Sequence, residues 1–292
     1  MTRIPVVIVH VGEIHNYFRR SIYLTTKKND VIVISNIENK EILQKMSRVS
    51  FVDVADLHTP EIDEFRTCFV NYSDNHEIFE RFCFFRIFYM KQYLEKTGRT
   101  KLFHADSDCV VSEDVNDFFT EESPIAFSVP DDTDDPFMMV GCIHNALLDR
   151  PFCETFIRLC FDIYLTKTKF HYISDKINWH TTKKIPGGIC DMTMYYLMYV
   201  HKLVGPITNL YYPIQKIQAK PGDEFFLFDH NLNSSVGFQG KNTFQMGPHL
   251  KRIDYRNGRV GFLTTQNEFF YTASMHFQGN AKQLLAKLGE LQ

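Results

Sequence analysis

The sequence predicts an α/β fold in which a mainly parallel central sheet is flanked by helices and followed by an irregular C-terminal region. Three observations predict it. Short, continuous, β-branched runs such as VVIV and VIVIS recur in the first third of the chain. Helix-like stretches separate them. Beyond Asn209 the pattern breaks into short strands and turns rich in Gly and Asn.

Residues 4–11 read as a buried strand, residues 17–23 as a helix and VIVIS at 31–35 as a second buried strand. A short helix over 41–46 and a strand over 49–54 follow. Residues 77–96 are strongly helical; Phe79, Phe82, Phe85, Ile87, Phe88, Tyr89 and Leu94 give an apolar surface wide enough for full burial. Gly98 is the expected stop. Residues 101–105 form the next strand. In the second half, strands are expected at 125–129 and 138–143, separated by PDDTDDP, which reads as a solvated turn. Helices are expected at 153–164 and 191–203, and an amphipathic helix over 281–291 closes the chain. No repeat, low-complexity tract or linker interrupts residues 1–292, so one domain is expected.

The chain has 292 residues, 44% hydrophobic and 23% charged, with a formal net charge of −3, which gives no bulk preference for nucleic acid. The 27 Phe and 14 Tyr suggest a Phe-rich core. Seven cysteines without a C-x-x-C pair argue against a disulfide framework and against a zinc site, and point to free thiols in a reducing compartment. No run approaches the roughly 20 apolar residues that span a bilayer. The cytoplasm is the expected location, with a membrane anchor outside this stretch left open.

The chemistry gathers at KLFHADSDCVV. Asp106 and Asp108 follow a strand two residues apart, so they point to the same side, and the ends of such strands are where α/β sheets bind ligands. Asp-Ser-Asp is also ordinary turn sequence. Two close carboxylates repel, and a divalent cation relieves the repulsion; oxygen ligands suit Mg²⁺ or Mn²⁺. Two enzyme classes place D-x-D at a strand end. In haloacid-dehalogenase-like phosphatases Asp106 would be a nucleophile, with Asp131 and Asp132 imitating a later acidic pair that comes too soon. In glycosyltransferases the acids hold a metal.

The second motif is MHFQGNAK, an H-x-x-G-x-x-K pattern made by His276, Gly279 and Lys282. Together with the D-x-D it resembles glycosyltransferase family 8, and the chain looks like a divergent relative with a GT-A, Rossmann-like fold. The resemblance implies that Asp106, Asp108 and His276 hold the metal, that Gly279 lets backbone approach the donor diphosphate and that Lys282 contacts it. It assigns His10, Val11 and Gly12, at the end of the first strand, and Asn36, after the second, to the nucleotide. Arg86, on the helix leading into the D-x-D strand, is expected near the donor; an ordinary ion-paired Arg is the alternative. In IPGGICDM, Gly187 and Gly188 form a close-approach turn, and Asp191 resembles the carboxylate that the family places beside donor sugar and acceptor; otherwise it is a helix-terminus acid. The family's exact D-Q-D and its Asn-Ser-Gly are absent.

The resemblance implies a metal-dependent hexosyltransferase with Mn²⁺ or Mg²⁺ as cofactor. It would move sugar from a nucleotide diphosphate, UDP by expectation, to a hydroxyl of a glycan, lipid or protein, with retention favoured. Residues 1–130 would bind the nucleotide sugar and residues 131–292 would form the acceptor side and the closing motif. A catalytically dead nucleotide-sugar or carbohydrate-binding protein is the third reading.

Overall fold

The structure is a computed structural model that describes residues 3–130, 137–220, 224–235, 243–248 and 250–287. Its elements in chain order are β1 (Val6–Val9), α1 (Asn16–Thr25), β2 (Val31–Ser35), α2 (Lys40–Gln44), β3 (Val49–Asp53), α3 (Pro60–Cys68), β4 (Tyr72–Ser73), α4 (Glu77–Thr97), β5 (Lys101–Ala105), β6 (Cys109–Val111), β7 (Ile125–Ser128), β8 (Cys142–Asp149), α5 (Arg150–Tyr164), α6 (His171–Lys183), β9 (Gly188–Ile189), α7 (Asp191–Val200), β10 (Ile207–Asn209), β11 (Phe226–Phe228), β12 (Ile253–Arg256), β13 (Arg259–Leu263), β14 (Phe269–His276) and α8 (Ala281–Lys287).

A seven-stranded sheet runs β10-β7-β8-β5-β1-β2-β3. The β10–β7, β5–β1, β1–β2 and β2–β3 pairs are parallel. Only β8, between β5 and β7, runs against its neighbours. This is the mainly parallel α/β layout that the sequence predicts. Side chains on β1 and β5 alternate between two buried faces. Val7, Val9 and Leu102 join the cluster under α4, α5 and α7, while Val6, Ile8, Phe103 and Ala105 pack toward α1. The first cluster is Phe-rich as expected: Phe65 meets Phe84, Phe85, Phe88 and Phe161 within 6.3 Å between centroids.

A second sheet, β11-β14-β13-β12, occupies the C-terminal part, with β6 also paired to β14. β13 takes the first half of β14, Phe269 to Tyr271, and β6 takes the second, Ser274 to His276. α8 closes this sheet through Ala281 and Leu285.

Three expectations need correction. The strand placed at 138–143 begins only at Cys142 and continues to Asp149, whose carboxylate then caps α5 by accepting from Phe152 N at 2.8 Å. Phe79, counted in the apolar surface of α4, is 59% exposed, because it lies in the first turn, ahead of the buried stretch. α3 and α6 were not anticipated. The PDDTDDP turn beyond Pro130, with Asp131 and Asp132, and the end of the closing helix lie outside the described residues. No helix among the described residues is long and apolar enough to cross a membrane, and their seven cysteines are free thiols.

Candidate active site

The parity of β5 sets the direction of the first carboxylate. Leu102 and His104 face α4, so Asp106 does too. There Arg86, on α4, donates from Nη1 to Asp106 Oδ1 and from Nη2 to Asp191 Oδ2 at 2.8 Å. Arg86 therefore joins the D-x-D to the start of α7. Asp191 is held on every side: Oδ1 accepts from Met192 N at 2.9 Å, and Oδ2 also accepts from the Tyr195 hydroxyl at 3.2 Å. Its side chain is only 6% exposed.

Asp108 faces the other group of residues. The β6–β14 pairing sets Cys109 opposite His276, and Phe277 N donates to the Asp108 carbonyl at 2.9 Å. The two distant motifs meet through this register. His276 Nε2 lies 3.4 Å from Asp108 Oδ1, and Lys282 Nζ lies 3.1 Å from Asp108 Oδ2. Burial works against the Asp108 charge, yet His276 and Lys282 hold its pKa down at about 2. Burial also works against a charged His276, but the Asp108 hydrogen bond and the nearby carboxylates raise its pKa above the ordinary value. In the neutral ring, Nδ1–H donates to the His230 carbonyl at 2.8 Å, which leaves the lone pair on Nε2, facing Asp108.

Asp108, Cys109 and His276 place ligand atoms within 4.8 Å of one another; Asp106 is not in this group, its Oδ1 being committed to Arg86. The structure thus brings Asp108, His276 and Lys282 together directly, with Asp106 near enough for its charge to raise the pKa values of both His276 and Lys282. Asp108, Cys109 and His276 offer one carboxylate oxygen, one sulfur and one imidazole nitrogen to a divalent ion, with Asp106 close by. Gly279 has φ +57, a conformation that favours glycine, and it opens the turn leading to Lys282.

His10, Val11, Gly12 and Asn36 also come together, at the carboxyl ends of β1 and β2. His10 N donates to the Ile34 carbonyl at 2.9 Å. Gly12, at φ +112, donates to Asn36 Oδ1 at 2.9 Å, and its carbonyl accepts from Asn39 at 2.8 Å. The His10 ring donates to the Glu13 carbonyl and packs on Phe18, with centroids 4.4 Å apart.

Gly187 and Gly188 make their close approach to the protein itself. A Cβ on Gly188 would lie 2.0 Å from the Tyr72 carbonyl oxygen, and one on Gly187 would lie 2.6 Å from the His180 ring. A cleft of about 390 Å³ opens beside this turn, lined by Tyr72, Asp74, His180, Lys184, Ile185 and Gly187.

Sequence reasoning passed over His104, whose Nε2 lies 3.8 Å from Asp106 Oδ1 and whose pKa burial lowers to about 4. A polar residue inside the apolar strand KLFHA was the available signal. It also passed over the buried ion pair of Asp229 and Lys251, at 2.5 Å, which anchors the segment beneath His276.

No protein-family model and no curated protein matches the chain. Solved structures match it in outline. The apo form of mouse xyloside xylosyltransferase 1 aligns with a TM-score of 0.44 at 10% identity, covering 72% of this chain and 87% of its own. A glycosyltransferase involved in glycosylation of the major capsid of PBCV-1 aligns with a TM-score of 0.42 at 10% identity, covering 100% of both chains. The apo form of glycosyltransferase GlyE from Streptococcus pneumoniae TIGR4 aligns with a TM-score of 0.35 at 13% identity, covering 72% of this chain and 46% of its own. Likenesses this distant leave the reading of the site to its own geometry.

Proposed function

We propose that the chain is a metal-dependent glycosyltransferase of the GT-A kind, moving a sugar from a UDP-linked donor to a hydroxyl of a glycan, lipid or protein. The observation that carries this reading is the β6–β14 register, which sets His276 and Lys282 on the second acid of the D-x-D. Residues 1–292 are taken as one catalytic unit. Its first 130 residues supply the Gly12–Asn36 turn and both acids; the remainder supplies Asp191, His276 and Lys282.

Asp106, Asp108 and His276 would hold Mn²⁺. When bound, the ion supplies positive charge against the leaving diphosphate. Lys282 is a second cation for a phosphate oxygen, and the pull of Asp108 keeps it protonated. The Gly12 turn, clamped by Asn36 and Asn39, offers a rigid edge for base and ribose. Arg86, expected near the donor, acts there by fixing two carboxylates, Asp106 and Asp191. Both Asp191 oxygens already accept hydrogen bonds. That supports a fixed negative charge beside an oxocarbenium-like centre more than a proton acceptor, and with it retention. The cleft beside Gly187 would take the acceptor.

Among the described residues, no geometric observation favours Asp106 as a phosphatase nucleophile. The reading is tested by thermal shift with a panel of nucleotide sugars, with and without Mn²⁺. A true donor at ~100 times its Kd adds roughly 2.7 kcal/mol of stability. That gain should vanish in EDTA and in Asp108→Asn. If no nucleotide sugar stabilises the protein, or if stabilisation survives EDTA, the proposal fails.

A further inference from the structure

Next to His276 the chain gathers a second set of ligand atoms that sugar transfer does not use. Cys142 and His144 stand at the start of β8, and His230 follows β11. The Cys142 sulfur and one ring nitrogen from each histidine lie within 4.8 Å of one another. The His144 ring stacks on His276, centroids 4.6 Å apart, and meets His230 edge to face at 4.9 Å.

One feature distinguishes this cluster from packed side chains. His144 Nε2 and His230 Nδ1 are buried without a hydrogen-bond partner. A buried polar atom left unpaired is costly, and two in one cluster need a reason. The Cys142 thiol donates a hydrogen bond to the Met192 thioether at 3.7 Å.

We propose that Cys142, His144 and His230 form a three-donor binding site for Zn²⁺, with a water as fourth donor, separate from the carboxylate site for the donor metal. A thiolate and two imidazoles select a thiophilic ion, whereas Asp106 and Asp108 select a hard one. On binding, the Cys142 S–H bond breaks, its proton goes to solvent and a Zn–S bond forms. The ligands come from separate segments, so the spacing rules that argued against zinc in the sequence do not detect them. Occupied, the site would tie β8 to the segment whose His230 carbonyl orients His276.

The probe is Co²⁺, added to the full chain after EDTA treatment and removal of the chelator. The expected result is a near-ultraviolet thiolate-to-cobalt charge-transfer band with visible bands of tetrahedral cobalt. Both should saturate at one equivalent and be displaced by Zn²⁺ but not by Mn²⁺. Cys142→Ser should abolish the charge-transfer band. Cys109→Ser should keep it, because Cys109 belongs to the Asp108–His276 group. His230→Gln, which retains the backbone carbonyl under His276, should lose the tetrahedral bands, with folding of each variant checked by circular dichroism. A wild type without the charge-transfer band overturns the proposal. So does a band that survives Cys142→Ser or disappears in Cys109→Ser. If Cys142→Ser does not fold, a full cobalt spectrum in His230→Gln overturns it equally.

Discussion

Replacing Lys251 by Met should destabilise the protein more than a typical single substitution. Lys251 Nζ lies 2.5 Å from Asp229 Oδ1, both side chains are 2% exposed, and the ammonium also donates to the Asn231 carbonyl at 2.8 Å. Met preserves most of the apolar stem but not the ammonium, which also lies 4.8 Å from the Phe244 ring centroid and 5.5 Å from that of Phe262. What it removes is the only cation paired with Asp229 among the ion pairs of the described residues. Stranding a buried charge costs about 3–5 kcal/mol, whereas removing both partners costs far less. At about 2–4 °C per kcal/mol for a large domain, the melting temperature should fall by roughly 6–20 °C. Asp229→Asn combined with Lys251→Met should recover more than half of that loss. The same segment presents the carbonyl that orients His276, so Lys251→Met should also weaken the Mn²⁺-dependent part of any donor-induced thermal shift. Calorimetry and urea melts of the three variants measure this. A single variant within about 1 kcal/mol of wild type, or a double variant worse than the single, would refute the reasoning.

Asp191→Asn should leave donor affinity unchanged and lower transfer by at least roughly 10²-fold, the scale for losing an electrostatic group; normal transfer would make Asp191 a structural partner of Arg86 only. Glu113 is buried, which opposes its charge, yet hydrogen bonds from Lys28 at 2.8 Å and Lys216 at 3.1 Å hold its pKa below the ordinary 4.5. Its contribution should therefore be fully present above that value and lost as pH falls through the depressed one. Urea midpoints of wild type and Glu113→Gln should converge on acidification, and a gap that stays constant with pH would contradict this. Gly188→Ala drives a methyl into the Tyr72 carbonyl at φ +133 and should cost more than about 1 kcal/mol; an unchanged melt would mean that the turn yields freely.

The strands at Val31–Ser35 and Lys101–Ala105 were legible to the residue, because a strand buried on both faces is a short apolar run with sharp ends. The long helix was legible for its length and for Gly98, which does adopt the left-handed stop. The strand Cys142–Asp149 was misplaced because His144 and Asn145 interrupt its apolar pattern, though both are buried. α3 announced itself only through Pro60 at its first position. At the site, each motif could be read alone, but their meeting depends on β6, a three-residue strand whose partner lies far downstream. Arg86 read as one charge near the donor, and its double attachment to Asp106 and Asp191 exists only once α4 packs beside α7. The histidine cluster stayed invisible because each member, taken singly, is an ordinary core residue.

The β6–β14 pairing also imposes an order on synthesis. β6 is complete at Val111, but its partner begins at Phe269. At about 5–20 residues per second, a ribosome needs roughly 8–30 s to make the chain between them. Throughout that interval the backbone groups that wait for the β14 segment, the Asp108 carbonyl and the Ser112 N–H among them, form an open strand edge, the kind of surface on which nascent chains pair with one another. A polypeptide terminated before Phe269 would carry both acids of the D-x-D beside that open edge, so premature termination would yield a sticky fragment rather than a weaker version of the whole.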